Sequence, residues 1–228
     1  MSFPIPKPRA TNHEPRATNY EPRTTKLWYT ICVTDECIER AKSDIEATGD
    51  LLERTLKLSG LVTALFQEQG FPLVVVGGSA VEFYTEGGYM SGDVDFCRRS
   101  LKAIPLRLMA DVMSRLGGKS LGRNWLVCGI YVDFLGLLES ETVLPNRELE
   151  TPYGKVYFLP PELALVERII FAESSAECLP SARQMMAAAL QDGRFDWAEA
   201  RRLADLPDFK VLPRFEAMRK ELSDGSGA

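Results

Sequence analysis

The chemistry this sequence could perform lies in three aspartates and one glycine turn. In the run Gly92-Asp93-Val94-Asp95-Phe96, an extended backbone puts both carboxylates on one face, roughly 7 Å apart along the chain, with Val94 and Phe96 turned toward a core. If their oxygens approach to about 4 Å, two such carboxylates repel by up to about 4 kcal/mol at an effective dielectric near 20. A divalent cation between them removes that cost, so Asp93 and Asp95 are candidate metal ligands; the plain alternative is a pair of acids on a solvated strand face. Upstream, Gly77-Gly78-Ser79 follows an apolar run and precedes a helical pattern. A glycine turn feeding a helix N-terminus offers unpaired backbone N–H groups and a positive dipole end to a phosphate, although Ser79 on its own reads as an ordinary helix cap. A further acid, Asp133, stands in Ile130-Tyr131-Val132-Asp133-Phe134, where the ordinary alternative is a strand-end acid paired with an arginine. Phosphate turn, thirteen intervening residues, acid pair and later strand acid together describe a triphosphate cradle beside a two-metal site.

Such groups need elements to hold them. Phe71 to Val76 is a short, β-branched apolar run that predicts a buried strand entering the glycine turn. Ser79 is expected to open a helix, with Glu82 at capping-box spacing and Gly87-Gly88 as the stop. Asp93 to Cys97 predicts a second strand, Ile104 to Leu116 an amphipathic helix, and Trp125 to Leu137 a strand or a hairpin around Gly129. Before the site, Thr34 to Gln69 carries apolar residues at helical spacing, with a break at Gly49 and a capping box at Asp50 and Glu53. After Lys155 to Leu159, Pro160-Pro161-Glu162 predicts a helix start, and further starts follow near Ser181, Asp196 and Asp208. The class is α+β (mixed α/β): a small mixed sheet flanked by helices, with a C-terminal helical extension.

Composition excludes much else. The sole histidine, His13, lies in a polar, proline-rich repeat (PRATNHE, PRATNYE, PRTTK) within residues 1 to 26, which predicts a disordered tail and removes Ser-His-Asp, Cys-His and HExxH chemistry. Five cysteines without Cys-x-x-Cys spacing suggest neither a disulfide framework nor a zinc ribbon. The formal net charge is −5, and the tail holds five Lys and Arg against two Glu, so the remainder is acidic and unlike a general nucleic-acid binder. With no membrane-length apolar stretch and no leader-like N-terminus, a cytoplasmic protein without membrane contact is expected.

The stretch VVVGGSAVEFYTEGGYMSGDVDF resembles the signature of the DNA polymerase beta-like nucleotidyltransferase superfamily: an apolar strand, Gly-Gly/Ser-Ser, a short spacer, then two acids one residue apart. Within it the chain is similar to small bacterial nucleotidyltransferases related to abortive-infection toxins, in which a Pro-Glu-x-x-x-x-x-Arg helix start follows the catalytic strands; here that is Pro161-Glu162 through Arg168. The resemblance implies a nucleotidyltransferase fold, with a core over 27–158 and a helical region over 159–228. It implies that Gly77, Gly78 and Ser79 hold the phosphates of a nucleoside triphosphate. Asp93, Asp95 and Asp133 would ligate Mg2+ or Mn2+, and Asp133 would accept the proton of an attacking hydroxyl. The implied activity is transfer of a nucleoside monophosphate to RNA, protein or a small molecule, with pyrophosphate leaving and an antitoxin as a conceivable partner. The alternative is a non-catalytic nucleotide- or partner-binding module on the same fold. Arg98, Arg99, Lys102 and Lys155 are candidate cations for the leaving pyrophosphate, and Arg194, Arg201 and Arg202 a candidate basic patch.

Overall fold

The computed structural model describes residues 34–139, 142 and 144–225; the repeat over 1–26 lies outside them. Helices α1 (Asp35–Ala47) and α2 (Leu51–Glu68) part at Gly49. Each is capped from its own sequence: the Thr34 hydroxyl accepts from Cys37 N, and Asp50 Oδ1 accepts from Glu53 N at 2.8 Å, as the capping pattern predicts. Strand β1 (Leu73–Val76), helix α3 (Gly77–Tyr84) and strand β2 (Asp93–Arg98) follow, then α4 (Leu106–Arg115). Strands β3 (Lys119–Leu121), β4 (Asn124–Val127), β5 (Ile130–Leu137), β6 (Arg147–Thr151) and β7 (Gly154–Phe158) complete the sheet. Helices α5 (Pro161–Ser174), α6 (Leu179–Gln191), α7 (Trp197–Ala204) and α8 (Leu212–Gly225) end the chain.

The strands form one mixed sheet in the order β3-β4-β5-β2-β1-β7-β6, so the expected α+β class with a mixed sheet is observed. Central β1 runs antiparallel to β2 and parallel to β7, while β2 runs parallel to β5. The remaining pairs are antiparallel hairpins. The hairpin at Gly129 turns on Cys128-Gly129, both at positive φ (49° and 78°), the two-residue turn whose twist matches its strands. Strands β3 and β6 were not expected. Lys119-Ser120-Leu121 is exposed throughout, and Arg147-Glu148-Leu149-Glu150-Thr151 is an acidic edge strand; neither buries enough to leave an apolar signature.

Alternation across the sheet creates two cores. Leu73, Val75, Val94, Phe96 and Val132 pack with α1, α2 and α4. Val74, Val76 and Cys97 pack with α3 and α5 to α8. Phe66, Phe96, Phe158 and Phe215 are fully buried, and burying each contributes about 1.5–3 kcal/mol.

Candidate active site

The acids occupy the sheet face that looks toward the C-terminal helices. Val94 and Phe96 turn into the α1–α2 core, so alternation directs Asp93 and Asp95 to the opposite face. On the parallel neighbour, Asp133 stands in register with Asp95 and Tyr131 with Asp93. Strand spacing of about 4.8 Å makes Asp95 and Asp133 side-by-side neighbours, so the three sequence-predicted acids share one sheet face on adjacent strands.

The glycine turn rests directly on them. Val76, the last residue of β1, pairs with Asp95, and the chain turns into α3 at Gly77 with φ +64°. A Cβ at Gly77 would lie 2.5 Å from Asp95 Oδ2, and one at Gly78 would lie 2.3 Å from Ser91 Oγ. A side chain at either place would have to displace the Asp95 or Ser91 side chain, so both glycines are favoured by close approach, and Gly77 by its backbone angle as well.

Ser79 departs from expectation. The helix begins at Gly77, with Val76 as an N-cap that supplies no side-chain bond, so Ser79 lies inside the first turn instead of opening it. It is 4% exposed, and its hydroxyl donates to the Asp93 carbonyl at 2.6 Å, tying the helix start to β2. With that proton committed, first-turn backbone N–H groups are what this helix end offers an anion. Nor is Glu82 a capping-box partner: it is buried and accepts from Ser91 N at 3.1 Å. Its burial raises the carboxyl above its usual range, with the Ser91 bond opposing. Ser91 in turn donates to Asp93 Oδ1 at 2.5 Å. Thus α3 and the loop before β2 are bonded into one unit around Asp93.

Electrostatically, Asp95 is the central group. Burial, then the charges of Asp93 and Asp133, push its carboxyl up to about 6, while Arg168 and Arg123 pull it down. Arg168, on α5, also stacks its guanidinium 5.5 Å from the Phe171 ring centroid. Its neighbour Glu167 is pushed up to about 7 by burial, with Arg168 opposing. Arg123 ion-pairs with Asp133 Oδ2 at 2.9 Å, while Asp133 Oδ1 accepts from Phe134 N at 2.8 Å. The arginine pairing set out as the alternative for Asp133 is therefore present alongside the register match to Asp95. Beside the acids, Ser91, Gly92, Asp93, Asn124 and Tyr131 line an open pocket of about 290 Å3.

The candidate cations read from sequence are occupied elsewhere. Arg98 donates to the Ser100 carbonyl, Arg99 lies over Tyr157 and Lys102 over Phe71, and Lys155 pairs with Glu148 and Glu150. Arg123 was missed because its neighbourhood depends on the exposed β3–β4 hairpin; Arg168 was marked only through the Pro-Glu motif. The C-terminal basic patch is neutralised as well, with Arg194 paired to Asp192, Arg201 to Glu216 and Arg202 to Glu199.

Among the described residues, no three His, Cys, Asp or Glu side chains are set closely enough to form a ready metal cage. The donor chemistry nevertheless fits a hard divalent cation: three carboxylates on one sheet face, without imidazole, and Asp95 burdened by two like charges. The nearby Cys97 thiol, pushed up to about 11 chiefly by burial, stays protonated. No helix among the described residues is long and apolar enough to cross a membrane.

Neither a family model nor a curated protein matches the chain. Solved structures that resemble it include an antigenic nucleotidyltransferase-like protein from Paracoccidioides brasiliensis, at 13% identity and TM-score 0.49, covering 76% of this chain and 94% of that one. The solution structure of the antibiotic-resistance factor ANT(2'')-Ia matches at 15% identity and TM-score 0.43, covering 73% and 95%. The crystal structure of ANT(2'')-Ia with adenylyl-2''-tobramycin matches at 13% identity and TM-score 0.38, covering 71% and 94%.

Proposed function

We propose that this chain is a nucleotidyltransferase of the DNA polymerase beta-like type, moving a nucleoside monophosphate from a nucleoside triphosphate to a hydroxyl acceptor. The observation that carries the reading is the seating of the Gly77-Gly78 turn against the Asp95 and Ser91 side chains, which sets a helix N-terminus beside a carboxylate pair shared by two parallel strands. A helix start suits phosphate, and the acids suit a divalent cation.

In this mechanism the first-turn N–H groups of Gly77, Gly78 and Ser79 bind phosphate oxygens, while the Ser79 hydroxyl keeps that turn fixed to β2. Asp93, Asp95 and Asp133 would hold Mg2+ or Mn2+, which when bound neutralises charge on the triphosphate and on the entering and leaving oxygens. Asp133 takes the proton of the acceptor hydroxyl as that oxygen bonds to the α-phosphorus. The bond from the α-phosphorus to the bridging oxygen breaks, and pyrophosphate leaves. Arg168, whose charge reaches Asp95, is placed to offset anionic charge from the α5 side. A protein or small-molecule acceptor fits better than a large RNA, because Arg194, Arg201 and Arg202 are already paired with acids.

A second reading, a nucleotide- or partner-binding module without catalysis, is favoured by the Arg123–Asp133 ion pair, which occupies one oxygen of the third acid. The deciding experiment is titration of each nucleoside triphosphate with and without Mn2+, with pyrophosphate release followed for native protein and the Asp93→Ala, Asp95→Ala variant. Metal-dependent binding and release that vanish in the variant support the enzyme. Binding without release across acceptor classes favours a nucleotide-binding module, and no nucleotide binding by folded native protein rejects the enzyme and leaves the partner-binding module.

A further inference from the structure

The β3–β4 hairpin turns on Gly122-Arg123, since Leu121 pairs with Asn124. Gly122 has φ +74° and Arg123 is absent from the positive-φ residues, the pattern of a turn with glycine at its first central position. Such a turn holds its second residue at the sheet margin. The Arg123 side chain is 79% exposed, yet its guanidinium reaches back to a carboxylate whose side chain is only 5% exposed. That carboxylate belongs to Asp133, the register neighbour of Asp95. A cation already sits, then, on the third acid of the candidate metal site, delivered by a side chain that lies mostly in solvent.

We propose that Arg123 is a stand-in cation: it holds Asp133 while the site lacks a divalent ion, gives way when the ion enters, and then serves as an anion-binding arm for the triphosphate at the mouth of the site. This rests on the nucleotidyltransferase reading above. Divalent ions of the Mg2+ class sit about 2.1 Å from carboxylate oxygens. A guanidinium nitrogen 2.9 Å from Asp133 Oδ2 competes for that oxygen and repels the incoming charge. With Asp133 drawn to Arg123 and to the Phe134 N–H, the three carboxylates do not converge, and release of the arginine is the step that lets Asp133 turn to its neighbours. Release is cheap because the arm is exposed, and a freed guanidinium is a strong partner for phosphate oxygens. Ion entry and triphosphate binding are thereby coupled through one side chain: each favours the state in which Arg123 has left Asp133.

The test is calorimetric titration with Mn2+, alone and with a non-hydrolysable α,β-methylene triphosphate, on the native protein, Arg123→Gln and Arg123→Lys. Without nucleotide, Arg123→Gln should bind Mn2+ about fivefold more tightly than native, the effect of losing a competing ion pair at the upper end of what an exposed arm contributes. The same variant should melt at lower temperature in chelator, bind the analogue more weakly, and lose the mutual strengthening of ion and analogue. Arg123→Lys, which keeps the charge, should bind Mn2+ within about twofold of native. An ornamental surface ion pair predicts no change in ion affinity, and a purely structural one predicts weaker ion binding. Unchanged or weaker Mn2+ binding by folded Arg123→Gln, or tightening as great in Arg123→Lys, would overturn the proposal while leaving the enzyme reading intact. Absence of ion and analogue binding by native protein would overturn both.

Discussion

At the scale of the residue, Asp95 concentrates the conflict that a ligand would resolve. Its carboxyl is raised to about 6, first by burial and then by Asp93 and Asp133, against 3.8 for the free group. A raised carboxylate pKa means that the folded state disfavours the charge. Asp95 therefore costs no stability well below pH 4, and the cost grows as pH rises from about 4 to 6 and is complete above that. Discounted for the partial exposure of the group, that cost is about 1–3 kcal/mol. Asp95→Asn should stabilise the metal-free protein by about 1–3 kcal/mol at pH 8 and by little at pH 3.5, read from urea unfolding in chelator at the two pH values. Equal effects at both would mean that the acids do not repel and that the site has no stored need for a cation. Asp93 and Asp95 were legible in the sequence because strand alternation alone decides their face. The fate of Ser79 was not, since its hydroxyl finds the Asp93 carbonyl fourteen residues away, a contact that exists only once α3 has packed against β2. Arg123 was hidden for a related reason: it sits in the turn of the β3–β4 hairpin, and β3 has no buried residue to announce that hairpin.

Among the elements, local signals predicted those that are capped or buried, and missed those that exist by pairing. The α7 cap is an example of the first. Asp196 Oδ1 accepts from Ala198 N and Glu199 N, each at 3.0 Å, as the helix start expected near Asp196 implies. What spacing cannot reveal is that the N–H of Asp196 donates in turn to Glu162 Oε1 at 2.8 Å. Glu162 is 1% exposed in the first turn of α5, so the Pro161-Glu162 helix start bolts α5 to α7 instead of facing the acids. Glu162→Ala should cost about 2 kcal/mol, the range for leaving a buried donor unpaired, and Asp196→Ala about 1 kcal/mol for the lost cap. In denaturant unfolding the double variant should lose less than the two together by about 0.5 kcal/mol or more, because the residues share one network. Strict additivity would mean that cap and bolt act separately.

At the largest scale, the described residues form a sheet with two unlike covers, and the site lies where the second cover gives out. Helices α1 and α2 were expected ahead of the site, and they form the first cover. The second is built by α5 to α8 on Val74, Val76 and Cys97, and the acids continue the same sheet face beyond it, within reach of Arg168 at its margin. The sequence suggested a division near residue 158 between a core and a helical region, and the packing opposes cutting there. Val74, Val76 and Val81 are at most 6% exposed and belong to the core that the C-terminal helices complete. A chain ending at Phe158 would uncover that face of β1 and α3, which is the backing of the glycine turn itself. At about 25 cal/mol per Å2 of apolar surface, the loss readily exceeds the 5–15 kcal/mol by which a domain of this size is stable. Residues 34–158 alone should therefore show no cooperative urea transition and bind no triphosphate, while residues 34–228 should retain both properties. A sharp transition in the shorter chain would mean that the sheet and its first cover form an independent unit. The second layer would then be an attachment, and the position of Arg168 beside Asp95 would have to come from docking after folding.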